Sequence, residues 1–160
     1  MTDLIQIAKE GDRIGVQRAI EAGTDVNTTD AEGTCPIAAA AEAGHLEIVR
    51  HLIAAGADVD RPDKEGWTAL MAAAGTGRNA IAESLLDAGA NVNARTNFGL
   101  TALMCAAGGG HADIVRLLLD RGADLDAKDD NKWTALIWAS QEGHKAIVEL
   151  LKMARSQRNG

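Results

Sequence analysis

Cysteine is nearly missing from this chain: among 160 residues only Cys35 and Cys105 carry a thiol. Two thiols cannot build the disulfide framework of a small secreted domain, so an intracellular, cytoplasmic setting is expected. Aromatic residues are scarce as well, at 2%. A core must therefore come from Ala, Leu, Ile and Val, which points to small helices packed closely. No apolar stretch approaches the ~20 residues of a membrane helix. The segment Met1 to Lys9 lacks the cationic start and apolar run of a signal peptide. A basic stripe is also missing, and net charge is −7. Nucleic-acid binders need clustered cations to release counterions from phosphates, and anionic membranes repel an acidic surface. Neither partner is expected. The acidic balance serves solubility and mildly favours a basic partner.

What the chain has in abundance is repetition. Gly11, Gly44, Gly77, Gly110 and Gly143 recur at a constant step of 33 residues. Gly23, Gly56, Gly89 and Gly122 keep the same step. Longer segments repeat in register: GADVDRPD from Gly56, GANVNART from Gly89 and GADLDAKD from Gly122. So do GWTALMAAA from Gly66, GLTALMCAA from Gly99 and the variant KWTALIWAS from Lys132.

One unit, Asp63 to Arg95, shows the local physics. Asp63-Lys-Glu-Gly66 is turn chemistry. Thr68 stands where a helix N-cap belongs. Leu70, Ala73 and Ala74 give a short helix with small buried residues, and Gly77 stops it. Ile81, Leu85 and Leu86 form the apolar stripe of a second helix. Gly89 ends that helix, and an extended arm leads into the next turn. Neither helix is long enough to be stable alone, so each unit must bury its face against neighbours. Stacks of this kind need polar ends. The first unit keeps Leu4, Ile7, Ala8, Val16 and Ile20 inward among Lys9, Glu10, Asp12, Arg13, Gln17 and Arg18. The last keeps Ile147, Val148, Leu150 and Leu151, then runs out from Lys152 as a polar tail expected to fray.

These motifs resemble the ankyrin-repeat family, whose unit reads D-x-x-G-x-T-P-L-H, then G-H, I-V, L-L and G-A-D-V-N-A. The resemblance covers the chain as five repeats: a cap at about 1–29, then 30–62, 63–95 and 96–128, and a cap with its tail at 129–160. It implies one all-α domain, an ankyrin solenoid of helix-turn-helix units joined by β-hairpin-like turns. Four departures stand out. The Pro of the motif survives only as Pro36. Its His is replaced by Ala38, Met71, Met104 and Ile137, so the inter-repeat bonds made by that His are expected to be absent. Cys35 replaces the capping Thr. Lys132 replaces a turn glycine, at a cost of about 1 kcal/mol if φ there is positive.

No enzyme is expected, and no cofactor or metal. His45, His111 and His144 follow the repeat glycine in different units. Helices pack roughly 8–10 Å apart, too far for equivalent side chains to share a metal at about 2 Å. They read as residues shaping the turn between helices. His51 reads as part of a semi-exposed helix face. Cys35 and Cys105 lie two repeats apart, roughly 20 Å by the same spacing, beyond the ~7 Å reach of a disulfide. Gly108-Gly109-Gly110-His111 lacks the Lys-Ser/Thr of a phosphate loop and follows no strand. Asp58, Asp60, Asp124 and Asp126 read as solvated or turn-forming.

The resemblance implies binding to another protein, by a lone monomeric adaptor or by a regulator that covers a partner enzyme. Family members use the turn tips and the exposed side of the first helix, positions that stack into one concave strip. All four aromatic residues fall there. Trp67 and Trp133 follow the turn glycine position, Leu100 holds the equivalent place between them, and Phe98 sits at a tip. Trp138 lies on the last first helix. Rings are enriched at interface centres, but a Trp at this place can equally pack across the hairpin base. Phe98 and Leu100 are harder to explain as packing. Gly75, Thr76, Gly108 and Gly109 replace larger residues of the outer repeats and should open a notch in the strip. Glu32, Lys64, Glu65, Arg121 and Asp130 are read as its charged rim.

Overall fold

The computed structural model describes residues 3–160; Met1 and Thr2, counted in the first unit above, lie outside the described residues. Ten helices and no strand occur among the described residues. They form five antiparallel pairs: α1 (Leu4–Glu10) with α2 (Arg13–Glu21), α3 (Pro36–Ala43) with α4 (Leu46–Ala54), α5 (Ala69–Thr76) with α6 (Asn79–Asp87), α7 (Ala102–Gly109) with α8 (Ala112–Asp120), and α9 (Ala135–Gln141) with α10 (Lys145–Asn159). First helices stack on first helices and second helices on second helices.

The caps explain why each helix starts and stops where it does. Thr68, Thr101 and Thr134 each accept a hydrogen bond from a backbone N–H of the first turn. Cys35 makes no such bond, and its helix begins on Pro36 instead, whose fixed φ suits a first helical residue. Gly77 and Gly110 close α5 and α7 in the left-handed conformation. They also have no room for a Cβ, which would meet the rings of His111 and His144 at under 3 Å.

The core repeats with the sequence. Leu4, Ile37, Leu70 and Leu103 are buried from the first helices, and Ile48, Ile81, Ile114 and Ile147 from the second. Ala8, Ala41, Ala74 and Ala107 are fully buried between successive first helices. Their counterpart Ser140 is exposed, since among the described residues only α7 and α10 pack against α9. Alanine lets the first helices approach one another more closely than the second helices do. The stack therefore bends toward the first-helix side.

Three sets of polar rungs hold neighbouring repeats in register. At the tips, Lys64 N–H donates to Glu32 O at 3.0 Å, Asn97 N–H to Glu65 O at 2.8 Å and Asp130 N–H to Phe98 O at 2.9 Å. In the extended arms, side-chain oxygens of Asn27, Asp60 and Asn93 accept from the backbone of Asp58, Asn91 and Asp124 at 2.7–2.8 Å. Asp60 is thus an exposed turn residue that also bridges to the next repeat. The third set corrects the reading of the histidines. His45, His111 and His144 donate through Nε2 to the carbonyls of Lys9, Gly75 and Gly108 at 3.0–3.1 Å, each in the preceding repeat. They staple units together instead of shaping their own turn. In the third unit Arg78 takes this place and lies against Gly44.

The polar tail also differs from expectation. It continues α10 to Asn159 because Arg155 and Arg158 both reach the carboxylate of Asp126, at 3.0 and 2.6 Å. Asp126 occupies the arm position of Asn27, Asp60 and Asn93. Where the other three accept from a following arm, Asp126 takes Arg158 and Arg155, which hold its carboxyl below the usual carboxylate range.

Candidate functional site: a concave groove

Each turn tip is organised by one side-chain oxygen. Asp30, Asp63 and Asp129 accept from two backbone N–H groups apiece, two and four residues on, at 2.9–3.0 Å. Thr96 Oγ1 does the same for Phe98 and Leu100 at 3.2 and 3.1 Å. This geometry aims the residue after the turn, Trp67, Leu100 or Trp133, along the base of the tip. Lys132 closes the last tip with φ at 67°, the only described non-glycine residue with positive φ.

Asp129 is the most heavily used of these residues. It is buried, and its second oxygen accepts the indole N–H of Trp138 at 2.9 Å. Trp133 lies edge-on to Trp138, with ring centroids 5.0 Å apart and planes at 67°. Trp138 therefore stands as a fixed wall on α9.

Facing that wall is a depression of about 320 Å³. Trp67 and Leu100 line it from the tips and Trp138 and Glu142 from α9. Its floor is Gly75, Met104, Cys105, Gly108 and Gly109. A second depression of about 370 Å³ adjoins it, between α3 and α5, and shares Trp67 and Gly75. Thr76 lines this second one, together with Glu42, Arg61 and Met71. The small residues thus sit where the concave face is hollow.

Six of the residues singled out from sequence meet in the first depression: Trp67, Gly75, Leu100, Gly108, Gly109 and Trp138. Trp133 stands behind Trp138 rather than in it. Phe98 is exposed at the tip, at 54% of its surface, and lines neither hollow. Glu32, Lys64, Glu65 and Asp130 are exposed at the tips. Two expectations need correction. Leu100 is half-buried and packs against the core, so packing does account for part of its presence. Arg121 is not on the rim. It ends α8 and pairs with Asp87 at the end of α6 at 2.7 Å, within the second-helix layer. Sequence reasoning missed Arg61, Met71, Met104 and Glu142 as lining residues. Stepping back one repeat from Trp138 reaches Cys105, and this register is the signal that could have found the others.

The family model for ankyrin repeats (3 copies) matches residues 4–96 and 81–159. The chain belongs to the ankyrin-repeat family. Ankyrin repeats are in general protein–protein interaction modules. No curated protein matches the chain at a significant level.

Burial pushes the Cys105 thiol up to about 12, and it raises Cys35 as well, so both thiols stay protonated near neutrality. No group of three or more His, Cys, Asp or Glu among the described residues is placed to hold a metal ion. No described helix is long and apolar enough to cross a membrane.

Proposed function

We propose that this ankyrin-repeat chain is a binding module that holds a segment of another protein in its concave groove and performs no reaction itself. One observation carries the reading. In the middle repeats, polar first-helix positions become Gly75, Gly108 and Gly109, and an apolar hollow walled by Trp67, Leu100 and Trp138 opens at that point. Such anchors, buried by a partner, carry most of the energy of an interface. The exposed tips, with Glu32, Lys64, Glu65, Phe98 and Asp130, supply the surrounding contacts. The module acts as a monomer. Its net charge of −7 argues against nucleic acid and anionic membrane as partners.

The test is capture from an extract of the source organism on immobilised protein. Proteins held by the wild type should be lost with Phe98→Ala and with Gly108→Leu, which fills the hollow. They should be retained by Arg50→Ala, whose guanidinium pairs with Glu47 on α4. Loss with Arg50→Ala and retention with both groove variants would place the interface on the opposite side.

A further inference from the structure

We infer that the hollow between Trp67 and Trp138 receives a lysine or arginine side chain of the partner segment, with Glu142 as its counter-ion. The inference rests on the groove-binding reading above and names the chemistry of the occupant.

Three independent features favour a cation. The first is charge. Glu142 is the only carboxylate lining the hollow, and no Lys, Arg or His lines it. Glu142 is exposed and forms no ion pair with the described residues. The second is the pair of indoles. Aromatic rings attract Lys and Arg through their quadrupole, Trp most strongly. Trp138 is held in place by Asp129 and Trp133, so it needs no ordering on binding. The third is the backbone. Gly75 lies in the last turn of α5, Gly108 and Gly109 end α7, and Glu142 is the C-cap of α9. Three helix C-termini, the negative ends of their dipoles, thus converge on one hollow. His111 and His144 bond the Gly75 and Gly108 carbonyls from behind the floor, Cys105 is a protonated thiol within it, and Asp129 is bonded to the Trp138 wall.

The remaining lining suits the rest of such a side chain. Leu100, Met104 and the glycine floor offer apolar surface to a methylene stem, while the charged head stays near Glu142 and water. A volume of about 320 Å³ is at the small end of ligand pockets, which fits one long side chain rather than a packed helix. The chain's charge of −7 attracts a basic segment at long range.

The test uses small probes and the intact protein. N-acetyl-arginine amide and N-acetyl-lysine amide are titrated while the three indole N–H resonances are followed by NMR. N-acetyl-citrulline amide and N-acetyl-norleucine amide serve as uncharged matches. The Trp67 and Trp138 signals should shift saturably with at least one cationic probe, about fivefold more tightly than with its uncharged match. Glu142→Gln should remove that preference, and Glu149→Gln on α10 should keep it. Equal or tighter binding of citrulline or norleucine would overturn the proposal in favour of an apolar anchor. So would the absence of any saturable shift with both cations, or a preference unchanged by Glu142→Gln. These outcomes are separable from the capture test. A groove that loses its native partner on Gly108→Leu yet ignores cationic probes is a binding groove with a different occupant.

Discussion

The indole N–H of Trp138 donates to Oδ2 of Asp129 at 2.9 Å, while Oδ1 of the same carboxylate accepts from the backbone of Asn131 and Trp133. One buried side chain thus fixes both the last turn tip and the wall of the groove. Asp129→Ala should lower stability by at least about 3 kcal/mol, since it removes three hydrogen bonds to a charged group, each contributing about 1.5–3 kcal/mol. Near-UV circular dichroism should lose Trp signal as Trp138 comes loose from Trp133. A variant with unchanged urea midpoint and unchanged near-UV spectrum would show that the carboxylate is dispensable.

Lys132 is the converse case, a residue working against its conformation. Its φ of 67° occurs where the other tips carry Gly33, Gly66 and Gly99, all with positive φ. Lys132→Gly should raise stability by about 1 kcal/mol, read as a higher urea midpoint at constant m-value. A decrease would mean that the lysine side chain contributes contacts that outweigh its strain.

Leu100 and Phe98 separate packing from exposure. Leu100 is half-buried on the core, whereas Phe98 is exposed. Leu100→Ala should cost on the order of 1–2 kcal/mol of stability, less than the 2–5 of a fully buried leucine. Phe98→Ala should change stability by no more than about 0.5 kcal/mol. If Phe98 is an interface anchor, the same change weakens partner binding by about thirtyfold, the equivalent of 2 kcal/mol. Thermal melts and a binding isotherm on the two variants distinguish these effects. A large melting shift for Phe98→Ala would make it structural.

The end of α10 carries a pH dependence of definite sign. Arg158 and then Arg155 lower the pKa of Asp126 in the folded chain. A carboxyl depressed on folding stabilises above its unfolded pKa and loses that contribution as pH falls through the folded value. Amide protection in 152–159 should therefore persist at neutral pH and decline below the ordinary carboxylate range. Asp126→Asn should show the low-protection behaviour at neutral pH. Protection that is the same at pH 7 and pH 2 in both proteins would exclude the arginine clamp.

The local chemistry of this fold was legible because it is local. Thr68 and Thr101 cap helices by reaching three residues, Gly77 and Gly110 stop them, and a period of 33 repeats the lesson. What escaped notice joins residues about thirty positions apart. Asn27, Asp60 and Asn93 are turn residues whose second role, bonding the next arm, shows only when that arm lies beside them. Arg155 and Arg158 look like a loose tail until Asp126 is found at their side. The groove was partly legible for the same reason. Register aligned Trp138 with Cys105 and the central glycines with larger residues, and the same step aligns Arg121 with Ala22, Ala55 and Ala88 at the ends of the second helices, a match the rim reading passed over. Half-burial of Leu100 depends on packing that no single unit displays.

The inter-repeat histidines make the last prediction, because one rung of their ladder is missing. His45, His111 and His144 bond carbonyls of Lys9, Gly75 and Gly108 in the preceding repeats. By the same step Arg78 should reach the carbonyl of Glu42, yet its guanidinium lies against Gly44 and no such bond forms. The guanidinium lies against the repeat glycine as the His45, His111 and His144 rings lie against Gly11, Gly77 and Gly110, so it fills the slot without making the bond. Arg78→His should add the missing bond and raise stability by about 1 kcal/mol, the net worth of a typical hydrogen bond. His111→Ala should remove one and lower stability by at least that amount, since the Gly75 carbonyl is left without its partner. In urea unfolding the two shifts should have opposite sign, and the double variant should be nearly additive, because residues 78 and 111 staple different pairs of repeats. If Arg78→His destabilises while His111→Ala is neutral, the rungs follow from the stack and do not hold it together.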